Sequence, residues 1–137
     1  MSATLNLEID PRLEFEDLKK CFEIAGIINI SSDDSVIDAE FFASKMSVSA
    51  RRCDDLPDLL LENFESPDRW RVGSRVIFYY QIATPELCNK EIATFLAQLF
   101  SASAAYFVLS FQYESAYALR DRDGLKFMEG FGVDLQN

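Results

Sequence analysis

The sequence predicts an α+β fold: one domain over residues 1 to 137, with a twisted, mostly antiparallel sheet and about three helices packed on it. Three observations predict it. Strand-like and helix-like stretches follow the order β-α-β-β-α-β-α-β-β, with strands partly in neighbouring pairs rather than in strict alternation with helices. Apolar residues make up 49% of the 137 and 12 are Phe, enough to bury a sizeable core without staples. No linker, internal repeat or low-complexity tract divides the chain.

The elements are justified in order. "TLNLEID" alternates Leu5, Leu7 and Ile9 with polar residues, the period of a half-buried strand, and Pro11 ends it. Residues 13 to 25 place Phe15, Leu18, Cys21, Phe22 and Ala25 on one helical face, and Gly26 is a natural residue just past the helix end. "IINI" reads as a short strand and "SSDDS" as a turn or a helix start. From 38 to 52 both periods fit, but Phe42, Ser44, Met46, Val48 and Ala50 share one face of an extended chain, so a long strand is expected. Residues 55 to 65 read as a helix, with Asp54 or Asp55 at its N-cap and Pro57 in its first turn. "RWRVGSRVIFYYQIA" reads as a strand with an interruption at Gly73. Thr84-Pro85 starts a helix over 85 to 100, with Leu87, Ile92, Phe95, Leu96, Leu99 and Phe100 in one stripe. "AAYFVLSFQYESAYAL" supplies one or two strands, and the Asp-Gly of "RDRDGLKF" is a hairpin signal.

Composition excludes several chemistries. With no histidine the chain lacks Ser-His-Asp and Cys-His catalysis and the commonest transition-metal ligand. Cys21, Cys53 and Cys88 are odd in number, widely spaced and without a C-x-x-C pair, the pattern of reduced thiols in a cytoplasmic protein. Neither phosphate-cradling glycine motif occurs. "DRDG" opens like a calcium loop, but the twelfth position from Asp121 is Gly132 rather than Glu. No metal, no cofactor and no enzymatic role is expected. A signal peptide and a membrane-spanning run are also absent from the pattern.

Charge is the most informative feature. The net charge is −10. Residues 1 to 65 hold 15 acids and 6 bases, a net of −9, and residues 66 to 137 hold 8 and 7, a net of −1. Such a field repels nucleic acid and anionic membrane and steers basic partners. Wound as a helix at 100° per residue, Asp54, Asp55, Asp58, Glu62 and Glu65 fall in one stripe roughly 100° wide, opposite Leu56, Leu59, Leu60 and Phe64. The acids are too numerous and exposed for a catalytic pair, and one exposed stripe holds Mg²⁺ or Ca²⁺ only weakly. A solvated face needs no function; a docking surface for a basic protein is the functional reading, supported by further acids in "DDSVIDAE". Trp70, Tyr80 and Glu114 complete the candidate partner-binding set, since Trp and Tyr are the usual anchors of an interface. In "VIFYYQI" one of the adjacent tyrosines must point inward, so only one of them is an anchor.

A small, acidic, α+β chain whose helix is followed by "AAYFVLSFQYESAYALRDRDGLKF" resembles the immunity proteins of bacterial contact-dependent growth inhibition and related polymorphic toxin systems. The resemblance covers the whole chain in character and carries no diagnostic motif, so no functional residue is taken from it. It implies an inhibitory binding protein that neutralises a basic toxin domain, such as a nuclease, by covering its active site with an acidic, aromatic-flanked surface. The alternatives are a small carboxylate enzyme or ligand-binding domain, and a nucleic-acid mimic.

Overall fold

A computed structural model describes residues 3–61 and 70–128. Its centre is strand β1 (Ala3–Ile9), paired antiparallel with β5 (Ser74–Tyr80) on one side and β6 (Phe107–Phe111) on the other. The first helix, α1 (Phe15–Ile24), leads to β2 (Ile27–Ser32) at one edge. The meander β2, β3 (Val36–Phe41), β4 (Ser47–Arg52), β5 then returns to the centre. Helix α2 (Pro85–Ala102) carries the chain across β1 to β6, followed by β7 (Ser115–Asp121) and β8 (Gly124–Phe127) at the other edge. The eight strands lie in the order β2-β3-β4-β5-β1-β6-β7-β8, and every neighbouring pair is antiparallel. Because β5 and β6 are each antiparallel to β1, they are parallel to one another, and α2 is the crossover this arrangement requires.

The predicted α+β antiparallel architecture is present, with two helices among the described residues rather than about three. Both pack on one face of the sheet. Phe22 of α1 stacks on Phe95 of α2 at 4.2 Å between ring centroids, and Phe95 meets the edge of Phe78 in β5 at 5.9 Å. Phe41 of β3 lies 6.3 Å from Phe22 and 6.1 Å from Phe78. All four rings are fully buried, so the aromatic cluster ties both helices to the sheet through area burial and ring contacts together. Leu5, Leu7 and Ile9 supply the floor, as their alternation predicts. Gly26, at φ +90°, takes the left-handed position past α1 that favours glycine. Gly73 is required for space: a Cβ there would lie 2.5 Å from the Pro11 Cα.

Two expectations are overturned. Residues 38–52 form a hairpin, not one long strand: β3 ends at Phe41, Lys45 turns left-handed at φ 63°, and the Phe41 amide donates to the Met46 carbonyl. The alternation continues through the turn with no Gly or Pro, so the break has no local signature. The turn is fixed from outside, because the Glu91 carboxylate of α2 accepts from the Ala43 and Ser44 amides at 3.0 and 3.1 Å.

The second is the helix expected at 55–65. Residues 54–55 are a turn, Leu56 is left-handed at φ 47°, and 57–61 run as an irregular strap; 62–69 lie outside the described residues. The backbone partners of the strap are tertiary. Glu8, at 0% exposure on β1, accepts the Leu60 and Leu61 amides at 3.0–3.2 Å. The Val72 amide donates to the Pro57 carbonyl at 2.9 Å, and Arg75 donates to the Asp58 carbonyl at 3.0 Å. Backbone groups engaged this way are satisfied without i to i−4 bonds, so the weak local helix preference loses.

Candidate functional site

Strand alternation places Asp38, Glu40, Ser47, Ser49, Arg51, Arg75, Ile77 and Tyr79 on the face turned away from the helices. Across β1 that face is closed by the strap. Leu61 is buried there, along with Asn6, Glu8, Val108 and Ser110. Over β2–β4 it stays open, with a shallow depression of about 400 Å³ between Asp38, Glu40, Ser49 and Tyr79.

Residues 52–55 form a ridge at the end of β4. The Arg52 amide donates to the Ser35 carbonyl at 2.9 Å and the Cys53 amide to the Gly73 carbonyl at 2.8 Å, which fastens the ridge between the β2–β3 turn and the entry to β5. That turn is itself built on Asp33, whose carboxylate accepts from the Ser35 and Val36 amides. These backbone donors, with the Ser35 hydroxyl, pull the Asp33 pKa below its ordinary value.

A recess lies on each side of the ridge. The first, about 440 Å³, collects Glu14 and Glu16 from the start of α1, Asp34 from the β2–β3 turn and Asp54 from the ridge, over Leu13 and Phe15. Arg52 is its one lining cation and pairs with Asp54 at 2.7 Å. The second, about 490 Å³, is walled by Ile77, Pro57 and Tyr113 and carries Arg51, Arg75 and Asp55. Arg75 is paired with the buried Glu8 at 3.2 Å. Burial pushes the Cys53 thiol up, with nearby Asp55 and Glu8 adding and Arg75 opposing; burial, with Glu8, raises Tyr113 likewise. Cys53 therefore remains a protonated thiol near neutral pH, without the thiolate a nucleophile needs.

The structure brings some of the sequence-predicted residues together and separates others. Asp54 joins the acidic recess, and Asp55 lines the neighbouring one. Asp58 sits on the strap and pairs with Arg71 at 3.4 Å, so with Asp54 bound to Arg52 two of the expected acids are already matched by arginines of the same chain. Glu62 and Glu65 lie outside the described residues. Trp70 is half-buried at the entry to β5, and Glu114 is exposed in the β6–β7 turn beside Tyr113. Tyr80 is a correction: it faces α2, where its hydroxyl donates to Asn89 Oδ1 at 2.8 Å, and Tyr79 is the outward member of the pair at 42% exposure. The single acidic helix stripe is replaced by carboxylates converging from separate segments. Glu14 and Glu16 were invisible as site residues because nothing in sequence relates them to Asp34 or Asp54. Glu8 was hidden in an alternation whose polar positions normally face water.

Among the described residues no three His, Cys, Asp or Glu side chains stand close enough together to hold a metal ion, and no helix is long and apolar enough to cross a membrane. Comparison with protein-family models, with curated proteins and with solved structures finds no match.

Proposed function

We propose that this chain is an inhibitory binding protein, of the immunity type, that docks a basic protein domain against its acidic recess. The observation that carries the reading is the convergence of Glu14, Glu16, Asp34 and Asp54, from three separate segments, on one recess of about 440 Å³. A concave site in which one sign of charge predominates, here four carboxylates to one arginine, focuses its field and steers an oppositely charged partner. The apolar floor of Leu13 and Phe15 suits the methylene stem of an entering Lys or Arg, whose head then meets the carboxylates. Asp38 and Glu40 stand apart from this recess, beside Tyr79 on the open face of β3–β5. The carboxylates gather in one place rather than tracking along the surface, which favours one specific partner over mimicry of a nucleic-acid backbone.

The experiment begins with the reading frame immediately upstream of this gene. The reading expects a large secreted effector ending in a basic domain, and a 1:1 complex of that domain with this chain that abolishes its toxicity. Asp34→Lys combined with Asp54→Lys should weaken that complex at least about tenfold, with affinity falling as salt rises, because exposed charges are screened over about 10 Å at 0.1 M. An upstream domain that neither binds nor is inhibited, or a complex indifferent to the double substitution, overturns the assignment.

A further inference from the structure

The second recess carries chemistry that an acidic docking surface does not use. Strand pairing sets Arg51 of β4 directly opposite Arg75 of β5 on the open face, and like charges so placed oppose the pairing unless something neutralises them. Glu8 does so for Arg75, and Asp54 does so for Arg52 at the ridge. Arg51 has no ion pair or hydrogen bond from its side chain among the described residues, and neither has Asp55 on the same recess. Ile77, Pro57 and the ring of Tyr113 give the recess an apolar wall beside Ser49 and Cys53, and the volume of about 490 Å³ is that of a small-molecule site.

We propose that this recess binds a small organic monocarboxylate with an apolar body, its carboxylate held by Arg51 and its body against Ile77 and Tyr113. The guanidinium fork matches a carboxylate in two parallel hydrogen bonds. The fork fits phosphate as well, so it is the charge of the recess that disfavours phosphate and other dianions. Only one cation of the recess is uncommitted, and Asp54 and Asp55 stand on its rim. The recess lies across the 52–55 ridge from the acidic one, and the inference stands whether or not a basic protein docks there.

Benzoate is the probe, titrated into the full chain and followed by NMR at the Arg51 Nε–Hε and the Ile77 methyls, with chloride at matched ionic strength as control. Saturable shifts at both positions are expected. Arg51→Gln should weaken benzoate at least about tenfold, the loss for removing one charge-assisted hydrogen-bonded partner. Arg51→Lys should retain part of the affinity, since it keeps the charge and loses the fork. Arg51 is exposed, so both variants should keep the wild-type melting temperature. Shifts that do not saturate, benzoate binding unchanged in Arg51→Gln, or inorganic phosphate binding as well as benzoate would each overturn the proposal.

Discussion

The two faces of the sheet follow different rules, although the same strands build both. The face under α1 and α2 is dominated by apolar residues from Phe41 to Ala118, with Ser74 and the Tyr80 hydroxyl among its few polar groups, and most of its residues need only be hydrophobic and fit. The opposite face carries a buried carboxylate, a cross-strand arginine pair and serines, and each of its buried polar groups has a specific partner. One face is therefore held by area, and the other by a few directed contacts whose loss leaves charges or amides unmatched. That difference explains why the arginine-bearing recess lies on the second face, whose groups are neither consumed by a core nor free to reorganise, while the acidic recess sits at the margin where α1 meets the ridge.

The sharpest way to break this comparison is to damage each face once. Phe22→Ala removes a ring at 0% exposure that stacks on Phe95, and a loss of about 3–5 kcal/mol in denaturant unfolding is expected. Glu8→Ala deletes the carboxylate that holds Arg75 and the Leu60 and Leu61 amides. Because Arg75 keeps 22% exposure and can recover some water, a loss of about 2–4 kcal/mol is expected rather than the full value for a sealed pair. The two should differ in kind as well as size. Hydrogen exchange in Glu8→Ala should quicken first at residues 60 and 61 with the core amides still protected, whereas Phe22→Ala should lower protection throughout. Uniform loss in both variants would mean that the strap is part of the global core.

The same contrast sets how much was legible in the sequence. The apolar face was readable because its period is local: β1, α1, α2 and the position after α1 at Gly26 all follow from residues within one element. The other face is written in long-range partners. Arg51 and Arg75 are 24 positions apart and become neighbours only through the β4–β5 register. The 55–61 segment has an amphipathic helix pattern, yet Glu8, 52 positions from Leu60, takes its amides and leaves a strap. The recess containing Asp34 and Asp54 needed the fold of both the β2–β3 turn and the ridge. The concentration of carboxylates near residue 54 was visible in the sequence; the recess that Asp54 shares with Glu14, Glu16 and Asp34 was not.

A smaller effect tests the covered face through pH. Burial, with a contribution from Asp17, pushes the Cys21 thiol of α1 from 9.0 up to about 11. The folded state thus holds this proton more tightly than the unfolded chain does. The associated stability is complete below pH 9, is lost as pH rises from 9 to 11, and changes no further above that window. The size is on the order of 2 kcal/mol. Denaturant unfolding across pH 8–11 should show a steeper decline for wild type than for Cys21→Ala, which removes the titrating group from a site 3% exposed. Parallel slopes would mean that the thiol reaches water in the native state and that α1 is less firmly seated than its packing indicates.

The smallest expected effect lies where the helix layer reaches around to the far end of the sheet. Glu91 stands on α2, yet its two carboxylate oxygens accept from Ala43 and Ser44 in the β3–β4 turn. This is a directed contact of the kind that governs the open face, made by an element of the covered one. Its energy is limited because Glu91 and the turn remain partly accessible to water, so Glu91→Ala should cost about 1 kcal/mol. Glu91→Gln should cost less, because the amide oxygen still accepts one of the two bonds while its NH₂ group faces the other donor. Exchange at the Ala43 and Ser44 amides should rise in the same order, Ala variant above Gln variant above wild type. The depression holding Asp38, Glu40 and Tyr79 borders this hairpin, so its shape depends on the turn being held. If neither substitution changes exchange at residues 43 and 44, then the left-handed Lys45 and the Phe41–Met46 and Lys45–Phe41 backbone bonds define the hairpin without help, and the two faces are mechanically independent at this end.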